Sequence, residues 1–206
     1  MRGGAAGLLA LLLLSACAGE RRAEPARPPD IRACFKQLEK LDNVRWRRVP
    51  DRIDSPSCGW RSGVQLIDIG VPLRGTNTMS CPVALGLVRW VRETAQPAVR
   101  DRMDTELAGI DSMGTYACRT RNSRPGAPVS EHASANAIDI GALRLADGRR
   151  ITVKAGWDGD DRPARKLLRD LHKGACKRFN LVLGPEDGPE HADHLHFDMG
   201  RWVDCR

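Results

Sequence analysis

His191-Ala192-Asp193-His194-Leu195-His196-Phe197-Asp198 decides how the C-terminal part of this chain folds. In an extended segment, successive side chains point to opposite faces. His194, His196 and Asp198 then share one face, and Leu195, Phe197 and Met199 share the other. The apolar three require a core, and the polar three line a cleft. His191 precedes them in a loop after Pro189 and can fold back onto that cleft. A second polar stretch lies upstream, Ser130-Glu131-His132-Ala133-Ser134-Ala135-Asn136-Ala137-Ile138-Asp139. Here His132 falls in a polar turn, and Asp139 on a strand among Ala137, Ile138 and Ile140. A carboxylate in such surroundings needs a counter-charge or a metal. Four of the chain's five histidines belong to these two stretches, a concentration that random placement would rarely produce. Two imidazoles and one carboxylate are a common zinc set, with water in the fourth position. Zinc makes that water acidic and polarises a carbonyl, and a neighbouring His or carboxylate can move the proton.

Working outward, residues 31–41 carry Ile31, Phe35, Leu38 and Leu41 at helical spacing, behind Asp30 as N-cap. Residues 44–75 read as short strands and turns. Ser80-Cys81-Pro82 opens a stronger helix, capped by Ser80 and striped by Ala84, Leu87, Val88, Val91 and Ala95. Pro97 is expected to break it, with a second helical stretch running toward Leu107. Residues 108–119 and 136–145 read as extended, and Asp147-Gly148 as a hairpin turn into Ile151-Thr152-Val153. Asp161-Arg162-Pro163 starts a further helix that buries Leu167, Leu168, Leu171, Ala175 and Phe179. Leu181-Val182-Leu183 is a strand closed by Gly184-Pro185, and residues 195–199 form the last strand. Hairpins outnumber crossovers, which predicts an α+β fold with a central antiparallel sheet and flanking helices.

The chain start reads as an address. Arg2 precedes a run of Leu and Ala over residues 8–14, too short for the ~20 apolar residues of a membrane span and of the length of a signal-peptide core. It ends in Leu14-Ser15-Ala16-Cys17, which resembles a bacterial lipoprotein box. That resemblance implies a signal peptide over 1–16, a lipidated Cys17 and attachment to a membrane through lipid chains. Residues 17–30, polar and proline-rich, then read as a flexible tether, and 31–206 as one domain. The expected location is the bacterial envelope on the periplasmic side. Ala18 lacks the Asp that signals inner-membrane retention in enteric bacteria, which favours the outer membrane.

Apart from Cys17 there are Cys34, Cys58, Cys81, Cys118, Cys176 and Cys205. An even number in an oxidising compartment predicts disulfides. The pairing expected is 34–58, 81–118 and 176–205, the last pinning the chain end beside the histidine strand. The net charge of +7 suits anionic partners of an envelope, and no aromatic-basic motif points to nucleic acid. The tryptophans read as core or cleft walls, with Trp157 the one to watch near the site. His172 reads as structural or exposed.

The motifs carry a family resemblance. The pattern Ser130-x-His132-x-x-Ala135-x-Ala137-x-Asp139 is similar to the Ser-x-His-x-x-Gly-x-Ala-x-Asp motif of the D-Ala-D-Ala carboxypeptidase, lysostaphin and Hedgehog-fold metallopeptidases. His191-x-x-His194-x-His196 looks like the second motif of the penicillin-insensitive murein endopeptidases of that superfamily. A closer match spans almost the whole domain. Tyr116-Ala117-Cys118-Arg119, Ser130-Glu131-His132-Ala133, Asn136-Ala137-Ile138-Asp139, Val182-Leu183-Gly184-Pro185, Cys205-Arg206, Cys81-Pro82 and Gln96-Pro97 resemble the bacterial extensin-like C-terminal domain family.

The superfamily likeness implies a Hedgehog/DD-peptidase-like fold and one Zn²⁺ on His132, Asp139 and His196. It places His191 and His194 beside the metal as proton carriers or transition-state stabilisers. By analogy, Arg119 holds a substrate carboxylate or an oxyanion, while Arg121 reads as surface. Asp193 is a weaker candidate, because it points away from the cleft if the strand has begun by then. The motif's glycine is Ala135 here, a departure that matters if the backbone angle is positive. The activity implied is zinc-dependent hydrolysis of an amide bond in peptidoglycan. The alternative is a non-catalytic module that binds or scaffolds the cell wall.

Overall fold

The computed structural model describes residue 1 and residues 30–205. Cys17 and the tether before Asp30 lie outside the described residues. The first helix, α1 (Ile31–Glu39), starts where Asp30 Oδ1 accepts the amides of Arg32 and Ala33 at 3.0 and 3.1 Å, and it buries Cys34, Phe35 and Leu38. Short strands follow: β1 (Arg45–Arg48), β2 (Arg52–Ser55), β3 (Cys58–Trp60), β4 (Gly63–Asp68), β5 (Leu73–Arg74) and β6 (Thr78–Ser80). Strand β4 pairs with β1 and β6 in a small sheet, and β2 with β3 in a hairpin.

Helix α2 (Cys81–Trp90) is capped by Ser80. The break expected at Pro97 does not occur. The chain stays right-handed helical through a π-turn (Val91–Ala95) into α3 (Gln96–Met103). A proline lacks an N–H and presses on the carbonyl four residues back. The widened turn directly ahead of it relieves that clash. The helical stretch ends at Met103, and Leu107 already belongs to the next strand.

That strand is β7 (Leu107–Gly114), so residues 115–119 are not strand as expected. Then come β8 (Ala137–Leu145), β9 (Arg150–Thr152), a short α4 (Val153–Gly156), α5 (Arg162–Ala175), β10 (Leu181–Leu183), β11 (Leu195–Asp198) and β12 (Asp204–Cys205). Val153 therefore starts a helix, and β11 is not the last strand. The main sheet runs β12-β10-β11-β8-β7-β5, with β9 on β8. Its centre is antiparallel, as expected, but it is mixed. Both ends pair in parallel, β5 with β7 and β10 with β12. Among the described residues no helix is long and apolar enough to cross a membrane.

One face of this sheet carries the core. Leu195 and Phe197 of β11 are buried, and the Phe197 ring meets Trp90 edge-on at 5.3 Å and stacks on Phe179 at 5.0 Å. Burying a side chain of that size stabilises by about 2–3 kcal/mol. The indole N–H of Trp90 is satisfied by the Leu171 carbonyl at 3.0 Å. Helix α5 presents Leu167, Leu168, Leu171 and Ala175 to the core, with Phe179 just beyond it, as its spacing predicts. His172 is buried on the same helix, and Trp157 packs edge-on against it at 5.7 Å under the Arg169 guanidinium. Trp157 is thus a core residue away from the histidine cleft.

Three disulfides staple the domain: Cys34–Cys81, Cys58–Cys118 and Cys176–Cys205. The third agrees with the sequence reading, and the first two exchange partners relative to it. Helix α1 packs on α2, which brings Cys34 to Cys81 rather than to Cys58. The β2–β3 hairpin lies instead against the turn before β8 and is tied to the segment after β7. Peptide mapping of the non-reduced chain is expected to recover 34–81 and 58–118, and a 34–58 peptide would contradict this packing. The paired change Cys58→Ala/Cys118→Ala opens a loop with a sequence separation of 60. It is expected to lower unfolding free energy by roughly 2–4 kcal/mol in denaturant titration.

Candidate metal centre

Strand register builds the centre. In the β8–β11 ladder, His196 stands directly opposite Asp139, Leu195 opposite Ile140 and Phe197 opposite Ile138. Directly opposed residues put their side chains on the same face, so His196 and Asp139 meet while their neighbours enter the core. The His196 Nδ1 lies 2.9 Å from Asp139 Oδ1. His132 arrives from a 3₁₀ turn (Glu131–Ser134) just ahead of β8. Its Nε2 is 3.1 Å from Asp139 Oδ2 and 3.1 Å from His196 Nδ1. Two ring nitrogens and a carboxylate therefore converge on one point, and all three belong to a set within metal-ligating reach.

The turn that carries His132 is held from several sides. The Ser130 hydroxyl accepts the His132 amide at 3.3 Å, and the His132 carbonyl accepts the Ala117 amide at 3.1 Å. Asn136 bridges outward. Its side-chain carbonyl accepts the Ser80 hydroxyl, and its amide donates to Glu131 Oε2, both at 2.8 Å. The turn closes at Ala135 with φ 52°, the left-handed region that the motif's glycine would occupy without strain. An alanine there costs about 1 kcal/mol. Its carbonyl takes the Ser80 amide at 2.8 Å, so the strained residue also fixes the turn to the start of α2.

Around the three donors sit the remaining candidates. His194 Nε2 is 3.5 Å from Asp139 Oδ1. His191 lies in a 3₁₀ turn (Pro189–His191), its ring centroid 5.4 Å from that of His194 and 6.0 Å from that of His196. Arg119 lines the cleft half-buried, its guanidinium 3.4 Å from the Thr120 carbonyl. Arg121, expected on the surface, lines the same cleft. The cleft holds about 410 Å³, within the size range of small-ligand sites.

Two residues act in ways the sequence reading did not assign. Asp193 precedes β11, which begins only at Leu195, and it turns to its neighbour rather than to the cleft. Its Oδ1 lies 2.9 Å from His194 Nδ1, which orients that ring. Asp198, placed on the polar face but given no role, is buried and holds His196 Nε2 at 3.0 Å while accepting the Gly200 amide at 2.8 Å. A carboxylate on the far nitrogen fixes the ring and leaves Nδ1 for a ligand. The i, i+2 spacing of His196 and Asp198 was the available signal.

Electrostatics follow from this packing. Burial opposes the Asp139 charge, but hydrogen bonds from His132 and His196 outweigh it and hold the carboxyl far below the usual range. Burial likewise works against a charged His196, yet its bonds to Asp139 and Asp198 raise it to about 9. His191 moves the other way: burial and then the nearby His196 and His194 lower it, which favours the neutral ring at pH 7.

The residues fit a divalent ion of intermediate softness. Two imidazoles and a carboxylate suit zinc and also related ions. The His191 Nδ1 is buried with no hydrogen-bond partner among the described residues.

This is an α+β, disulfide-stapled domain built around a buried histidine–carboxylate centre. The family model described as extensin-like protein C-terminus matches residues 32–206, and the chain belongs to that family. No curated protein and no solved structure matches it.

The charged cluster predicts a pH profile for the metal-free chain. His196, raised when folded, adds stability that is complete below its unfolded value of about 6.5. That stability is lost as pH rises through about 9. Asp139, lowered when folded, adds stability above about 4 that is lost only in strong acid. Thermal unfolding of chelator-treated chain is expected to weaken between pH 6.5 and 9.5, by on the order of 3 kcal/mol at most. His196→Gln should flatten that slope, and an unchanged slope in the variant would contradict the assignment.

Proposed function

We propose that this chain is a zinc-dependent hydrolase that cuts an amide bond in peptidoglycan. In this reading it is anchored at Cys17 to the periplasmic side of a bacterial envelope membrane, the outer one by preference. The observation that carries the reading is the convergence of His132 Nε2, Asp139 and His196 Nδ1 at about 3 Å from one another. The two motifs that supply them resemble those of the D-Ala-D-Ala carboxypeptidase and murein endopeptidase superfamily, and a Hedgehog/DD-peptidase-like fold belongs to the same proposal. His132, Asp139 and His196 would hold the ion. Zinc bound there supplies Lewis acidity, polarising a carbonyl and acidifying a water.

The chain's own groups supply the rest. Asp193 ties up His194 Nδ1, which leaves Nε2 as the atom that takes and returns a proton. His191, favoured in its neutral form by burial, is the second proton carrier at the same wall. Asp198 keeps His196 from rotating. Arg119 sits on the cleft wall with no carboxylate partner among the described residues, and so is free to hold a peptide carboxylate. A tether at Cys17 keeps the domain within reach of the wall.

Isolated peptidoglycan incubated with the full chain is expected to release soluble fragments and new free amino groups. His194→Ala should slow that release by about 10²–10⁴-fold, and Asp193→Asn by about tenfold or more. Wall binding with no new amino groups, under any divalent-metal supplement, would overturn the hydrolase and leave a scaffolding lipoprotein.

A further inference from the structure

The turn that carries His132 has a second side. His132 and Glu131 face the metal cleft, whereas Ser134 and Asn136 line a separate cavity of about 390 Å³. Its other walls are the β2–β3 hairpin and Arg61, together with the Ser80 cap of α2. Strand β3 packs directly on the His132 turn, and the Cys58–Cys118 disulfide fixes the hairpin there. The cavity is therefore preformed rather than a gap between mobile loops.

Its chemistry is one-sided. Arg52 and Arg61 both line it, and among the described residues no carboxylate does. Arg52 is partly neutralised by Asp54 at 2.8 Å and lies over the Trp60 and Tyr116 rings at 5.2 and 4.9 Å. Arg61 is exposed and pairs with no acid among the described residues. The remaining polar groups are hydroxyls and one amide, including Ser57, Ser134 and Asn136. Free guanidinium charge, hydroxyl and amide partners and an aromatic wall suit a ligand with a carboxylate and many hydroxyls.

We infer that this cavity is a second binding site, for a carboxylated saccharide segment, set on the opposite side of the His132 turn from the metal cleft. The assignment of that saccharide to the wall polymer rests on the function proposed above, whereas the site itself does not. A glycan lodged there touches Asn136, whose amide also braces Glu131 in the cleft. A peptide-free stretch of glycan there and a peptide-bearing stretch of the same polymer in the cleft would then grip the two sides of a single turn.

The test reads binding alone, so it is independent of metal loading and hydrolysis. Full chain treated with chelator is titrated with three probes: peptide-free wall glycan strands bearing free sugar acids, trigalacturonate and neutral chitotriose. Acidic probes are expected to bind at least tenfold more tightly than the neutral one. Arg61→Ala, an exposed change, should weaken them by about tenfold, the loss of one charge-assisted contact, while His196→Ala and His194→Ala leave them unchanged. Preference for the glycan strands supports a wall ligand. Preference for trigalacturonate supports the same site with another acidic polysaccharide as its ligand. Equal binding of chitotriose, no binding, an unaffected Arg61→Ala, or loss in both histidine variants would overturn the second site.

Discussion

The contact on which the candidate site depends is the buried meeting of Asp139 and His196 across the β8–β11 ladder. Ionised groups inside a protein are costly unless paired. Here one carboxylate receives two imidazoles, and the farther nitrogen of His196 is taken by Asp198. Shifting β11 by one residue would put Leu195 or Phe197 in the cleft and His196 in the core. The core contacts of Phe197 and the chemistry of His196 therefore enforce the same register.

The surrounding structure keeps His132 in place against that ladder. Its turn is short, closes through a left-handed alanine, and would wander if left alone. Ser80, Asn136 and Ala117 hold it by hydrogen bonds, and the β2–β3 hairpin backs it from behind. Two disulfides fasten elements that do this bracing, Cys34–Cys81 at the foot of α2 and Cys58–Cys118 on the hairpin, while Cys176–Cys205 ties the chain beside β10. The small elements of the first half thus serve mainly to support a site whose donors all come from the second half.

Much of this was legible from residue order. Strand alternation follows from backbone geometry, so the two faces of residues 194–198 could be read directly. The caps Asp30 and Ser80 and the apolar stripe of α5 were equally plain, because they are local. What escaped reading depended on approach in space. Disulfide partners depend on α1 lying on α2, which nothing local in the sequence says. Pro97 carries a break signal in its sequence, yet a π-turn absorbs it because packing holds the helix on either side. The hold of Asp193 on His194 depends on where β11 begins, which alternation alone does not fix. The parallel edges of the sheet depend on crossovers that local patterning does not reveal.

The central claim is that His132, Asp139 and His196 form one metal site. Elemental analysis of the full chain, exported with its disulfides intact, tests it most directly. The account predicts about one zinc per chain, lost in His196→Ala and restored by no other change. No bound metal after zinc reconstitution, or the same metal content in the variant, would contradict it.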